Sequence, residues 1–195
     1  MGGGNSGFDK DAHEEKAMRA QIKDVSDSIR DQDSESLYVI DKDGNILGSI
    51  NGGEHEVGSD DLNELSRWNI VVHNHPEGGT FTPKDILQHI ENGSRELYAV
   101  SSRWNYRIRP MSRRHAENAI QFYQAFDKAD REFSAKAEQD FMETAKSHPS
   151  MFRNFESVYH RWVLARWDKY SHQWLQKNAS KYGYEYSKTS VKRRR

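Results

Sequence analysis

The chain has 195 residues, 34% of them hydrophobic and 30% charged, which allows one domain, or a small domain with an accessory piece, and excludes more than two full domains. A formal net charge of −1 excludes a global basic field for nucleic acid or anionic membrane, and the absence of cysteine excludes disulfides and thiolate ligands, so any metal must be held by His, Asp or Glu. No apolar run approaches the roughly 18–20 residues a bilayer span needs, and the N-terminus has no apolar signal core, so the chain reads as soluble and suited to a reducing cytoplasm.

Residues 1–10 open with "MGGGNSG" and read as a flexible, glycine-rich leader. Over 12–30 the apolar residues Met18, Ile22, Val25 and Ile29 recur at helical steps and predict an amphipathic helix that packs by one face. "SLYVIDKDGNILGSI" predicts two strands around a turn at Asp43, Gly44 and Asn45. A glycine-broken loop follows, then a short helix through Leu62, Leu65 and Trp68. "NIVVH" predicts a buried strand, "TFTPKDILQHI" a helix, and "RELYAVSS" with "NYRIRP" a second hairpin ending at Pro110. Beyond it, 112–146 and 150–181 are helical in period and rich in aromatics, with His148 and Pro149 between them. Those aromatics are expected to be packing residues of an antiparallel pair rather than a base-stacking platform. The tail "SKTSVKRRR" is basic and expected to be a solvated end. Any nucleic-acid contact would come through it alone.

The chemistry concentrates in "HNHPEGGTFTPKD". In a strand, residues i and i+2 share a face, so His73 and His75 project together where a strand opens into a glycine loop. A catalytic zinc site needs about three protein ligands, and Asp85 is the nearest oxygen donor after the loop. Thr82, Pro83 and Asp85 also read simply as a helix start: a Thr cap, proline at the first position and an acid in the first turn.

With these residues in order, the stretch resembles the metal motif of the JAB/MPN/JAMM superfamily of zinc-dependent peptidases and isopeptidases, in particular its RadC-like His-Asn-His-Pro branch. The match spans roughly 35–110 and rests on His73, His75, Pro76, Thr82 and Asp85. The resemblance implies an α+β fold, a small mixed sheet flanked by helices and followed by a C-terminal helical segment. It divides the chain into a metal-binding catalytic domain over 11–110, a helical hairpin or accessory segment over 111–185, and a basic tail over 186–195. It further implies Zn²⁺ held by His73, His75 and Asp85, and Thr82 in place of the serine that steadies the tetrahedral intermediate. A glutamate base is expected at Glu35, with Glu54 and Glu56 as runners-up. The interval between Glu35 and His73 is compact, leaving little room for insertions that would hold a large substrate such as a ubiquitin-like protein.

A second likeness, carried by "VIDKDGNILGSINGG", "ELYAVSSRWNYRIRP" and the closing "KYGYEY", is to domains found with phage head-morphogenesis proteins and phage-borne toxins. It implies a phage or prophage product, acting in the bacterial cytoplasm or carried with a virion, with the C-terminal helices available to a phage or host protein. The expected function is hydrolysis of an amide or isopeptide bond in a protein or peptide. A non-catalytic phage interaction module and a metal-dependent nuclease are the alternatives.

Overall fold

Valine and isoleucine before the histidines build the centre of the molecule. β3 (Ile70–Asn74) is buried along its whole length, as a strand covered on both faces must be. The computed structural model describes residues 6–52, 60–112, 116–152 and 155–191. Around β3 lie β1 (Ser36–Ile40), β2 (Ile46–Asn51), β4 (Glu96–Val100), β5 (Trp104–Pro110) and β6 (Tyr184–Ser190), in the order β2-β1-β3-β4-β5-β6. β3 runs antiparallel to β1 and parallel to β4, and the other neighbours are antiparallel. The helices are α1 (Ser6–Ile29), α2 (Asp60–Ser66), α3 (Pro83–Asn92), α4 (Ala116–Ser147) and α5 (Phe155–Asn178). The fold is therefore α+β with a mixed sheet, and no helix among the described residues is long and apolar enough to cross a membrane.

Side-chain alternation along β3 sorts the two cores. Ile70 and Val72 face α1, where Met18, Ile22, Val25 and Ile29 meet Ile40 and Val100. Val71 faces the opposite layer, a continuous cluster in which Leu97, Ala99 and Ile108 of the sheet pack against Ile86 of α3, Phe122 and Phe126 of α4, and Leu175 of α5. Each of these large buried side chains contributes about 1.5–3 kcal/mol through lost contact with water. His73 and His75 follow Val71 on this second face, so the histidines emerge toward α3, α4 and α5.

The α4–α5 pair is antiparallel, because Phe141 meets Tyr159 (ring centroids 4.9 Å apart), Asp130 meets Trp167 and Phe126 meets Trp174 (5.3 Å). Phe122, Phe126 and Phe141 are fully buried, as expected of packing residues. Two boundaries differ from the sequence-based expectation. The first helix begins at Ser6, not at residue 12, with residues 1–5 outside the described residues. The stretch expected to be a solvated basic tail returns to the sheet, where Tyr184–Ser190 pairs with all of β5. Lys188 lies over the Trp104 ring (4.6 Å) and bonds Asp168 at 3.0 Å, a pairing invisible to local sequence because its partners are distant in the chain. Lys192, Arg193, Arg194 and Arg195 lie outside the described residues.

Candidate metal centre

His73 is the penultimate residue of β3, and His75 prolongs the strand's pairing with β4 by donating its N–H to Val100 O at 2.8 Å. The chain then turns, with Gly78 N–H donating to His75 O (2.9 Å), while Gly78 and Gly79 adopt φ of 87° and 104°. Only glycine takes those angles without strain. The loop is pinned from above: a Cβ added to Gly79 would come within 3.0 Å of the Trp167 ring. This turn delivers Thr82 and Asp85 back over the strand end.

The helix-start reading of Thr82 and Asp85 is met, and it leaves Asp85 within reach of the histidines. Thr82 is the N-cap of α3 and forms a reciprocal capping box with Asp85, and Pro83 opens the helix. In that box Thr82 N–H and Oγ1–H donate to Asp85 Oδ2 at 2.7 and 2.9 Å, and Asp85 N–H donates to Thr82 Oγ1 at 3.2 Å. The Thr82 hydroxyl proton is thus directed at Asp85, which it orients. The carboxylate so held reaches both imidazoles, with His73 Nε2 at 3.6 Å from Oδ1 and His75 Nε2 at 3.4 Å from Oδ2. The two Nε2 atoms are 2.9 Å apart, and Glu35 joins them, the ligand atoms of all four residues lying within 4.8 Å of one another.

The electrostatics follow from burial and from charge. Burial holds His73 well below the ordinary histidine pKa, with the attraction of Asp85 opposing and the proximity of His75 adding to the effect. Burial also works against a charged His75, but the hydrogen bond and charge of Asp85, then the charge of Glu35, outweigh it and raise its pKa. Asp85 is disfavoured as an anion by burial, yet His73, His75 and the Thr82 N–H hold it far below the usual carboxylate range. The two imidazoles are therefore pushed in opposite directions, burial disfavouring charge on His73 and the neighbouring carboxylates favouring it on His75.

Glu35 precedes β1 and is placed by a residue that the reading of the motif passed over. Asn74, between the two histidines, points to the opposite face and is fully buried. Its Oδ1 accepts from Ser36 N–H at 2.6 Å, and its Nδ2 donates to Ser34 O at 3.0 Å and to Gln32 O at 3.5 Å. It clamps the segment that carries Glu35. The signal was available in the alternation of the strand, which sends the residue between two ligands toward whatever lies behind them. Glu54 and Glu56 lie outside the described residues.

Glu35, His75 and Asp85 open onto a cleft of about 790 Å³, with His73 buried behind them. One wall is the β3–α3 loop and the start of α3, and the other is α5, through Tyr159, Val163, Leu164 and Trp167. These side chains were expected to serve packing alone. Trp167 does so through its N–H, which donates to Asp130 at 2.7 Å, and presents its ring to the cleft.

Comparison of the chain with protein-family models, with curated proteins and with solved structures returns no match.

Proposed function

We propose that this protein is a zinc-dependent hydrolase of an amide or isopeptide bond in a protein or peptide. The observation that carries the reading is the convergence of Glu35, His73, His75 and Asp85, four residues from three separate segments, three of which, Glu35, His75 and Asp85, line a cleft. The donor set suits the ion in kind, two imidazoles and a carboxylate. The two His–Asp separations, to different carboxylate oxygens, are 3.6 and 3.4 Å, near the edge of roughly 3.3–3.6 Å of a tetrahedral zinc. The two Nε2 atoms, 2.9 Å apart, would have to spread to take it. Two imidazoles and one carboxylate leave a position open, as a catalytic rather than structural site requires.

In this reading His73, His75 and Asp85 hold the metal and Glu35 serves as the base. Zinc, when bound, supplies a Lewis acid that polarises the scissile carbonyl and eases ionisation of water. Glu35 accepts the proton as the water oxygen bonds to the carbonyl carbon, and delivers it to the nitrogen as the C–N bond breaks, releasing an acid and an amine. Thr82 and the α3 N-terminus fix Asp85 in orientation, as partners of a metal ligand do. Turning the Thr82 hydroxyl to the developing oxyanion is the alternative use of that group and would cost its bond to Asp85. The likeness to phage-borne domains extends the proposal to a phage or prophage protein working in the host cytoplasm or with the virion.

The test is elemental analysis of protein purified without an affinity tag. The expected result is about one zinc per chain in the wild type, lost in His75→Ala and Asp85→Ala and kept in Glu35→Gln. Saturating zinc at about a hundred times its Kd should also stabilise the wild type by roughly 2.7 kcal/mol, and Asp85→Ala by none. A protein that takes up no zinc even when refolded with it, yet keeps a binding partner, would instead be an interaction module.

A further inference from the structure

α5 presents one continuous stripe to the metal cluster, since Tyr159, Val163 and Trp167 follow at steps of four and Leu164 lies beside them. Val163, Leu164 and Trp167 are half-buried and line the cleft with the surface they keep. Ordinary helix packing would have covered them, as it covers Phe122 and Phe126 one layer deeper. Trp167 is also immobilised, by its N–H bond to Asp130 and by the Gly79 backbone beneath its ring, so its face is a rigid, preformed surface.

The opposite property holds elsewhere on the lining. Asp33, Glu77 and Glu138 add their carboxylates to those of Glu35 and Asp85, whereas the basic groups are Lys84, His75 beside Asp85, and His160, which is bonded to Glu77 at 2.9 Å. The volume, about 790 Å³, is that of a pocket for a small ligand or a short extended segment rather than a platform for a folded protein.

We infer that the α5 stripe is a side-chain subsite, and that the substrate is an extended peptide segment placing an apolar or aromatic side chain against Leu164 and Trp167, with a basic rather than acidic neighbour. This rests on the hydrolase reading for its chemistry, but the subsite itself belongs to the protein without metal. Burial of the aromatic side chain against the stripe supplies affinity, and the carboxylates around the rest of the lining repel an acidic residue beside it.

The experiment measures binding of three end-blocked tripeptides, Gly-Phe-Lys, Gly-Gly-Lys and Gly-Phe-Glu, to the metal-free and zinc-loaded full chain by NMR titration. Gly-Phe-Lys should bind about tenfold or more tightly than Gly-Gly-Lys, and more tightly than Gly-Phe-Glu. Leu164→Asp should erase the preference for Phe while leaving the zinc content and melting temperature of the wild type. Val163→Thr, of the same shape, should weaken it in the same direction if the first variant fails to fold. Equal binding of the Phe and Gly peptides, or a Phe preference that survives in a folded Leu164→Asp or Val163→Thr protein, overturns the subsite. A protein that takes up no zinc when it is offered, yet keeps the Phe preference, would overturn the hydrolase reading and leave the subsite standing. A zinc-loaded protein without the preference would do the reverse.

Discussion

Among the described residues, Asp85, half-buried beside one end of β3, and Glu96, buried at the start of β4, are carboxylates satisfied in different ways. Glu96 receives Arg19 at 2.8 and 3.0 Å, Arg107 at 2.7 Å and the Tyr98 hydroxyl at 2.9 Å. Burial alone would raise its pKa, but these guanidinium groups bring it down to about 2. Asp85 is ionised just as firmly, yet its partners are imidazoles, and a second carboxylate, Glu35, stands beside them. Permanent cations close the account of charge at Glu96, so nothing further is needed there. At Asp85 the partners are imidazoles, which together with it and Glu35 could hold a metal ion.

The comparison breaks most sharply at Glu96. Replacing it with alanine leaves two guanidinium groups facing a buried void, and should lower stability by about 3 kcal/mol, the low end of the range for a broken buried pair, because Arg19 and Arg107 are 33% and 24% exposed and can rehydrate. Zinc content should not change. The pH dependence carries a further mark. Because the folded carboxyl titrates at about 2 against an ordinary 4.5, its stabilisation is present above pH 4.5 and lost as the pH falls toward 2. His89, buried in α3 and held down to about 4 by desolvation, loses its contribution earlier, between pH 6.5 and 4. Urea midpoints measured across pH should therefore show a wild-type minus Glu96→Gln difference that is steady above pH 4.5 and shrinks only as the pH falls toward 2.

A smaller effect is expected at Asn74. Asn74→Ala strips Ser36 N–H and the Ser34 carbonyl of a buried partner, at about 1–3 kcal/mol, measurable by urea denaturation. Zinc content should remain near that of the wild type, because Asn74 points away from the ligands, while turnover should fall with that of Glu35→Gln. Loss of zinc in Asn74→Ala would show that the Glu35 segment and the ligand set are not separable. The smallest effect belongs to Thr82. Thr82→Ser keeps the hydroxyl and should be close to neutral in melting temperature, whereas Thr82→Ala removes the cap of α3 at about 1 kcal/mol and should weaken zinc binding by freeing Asp85.

Much of this was written locally. The alternation of Ile70, Val71 and Val72 marks β3, the cap and proline mark the start of α3, and the stripe of Met18, Ile22, Val25 and Ile29 marks α1, because each depends on neighbours within a few residues. The candidate ligands were legible for the same reason: His73 and His75 share a face by the pleat, and Asp85 sits in the first turn of a helix that a glycine loop can fold back. Glu35 was legible only by resemblance, and the structure brings it to the cluster through Asn74, which reaches across the sheet to residues some forty positions away. Tertiary structure alone decided the rest. Sequence periodicity makes Leu164 and Trp167 look like any packed helix face, and the sequence from 186 onward look like a free basic end, although Tyr184–Ser190 is a strand. Which of these meets a neighbour, and which is left facing a cleft, depends on how distant segments share the finite area of one sheet, and no local pattern carries that information.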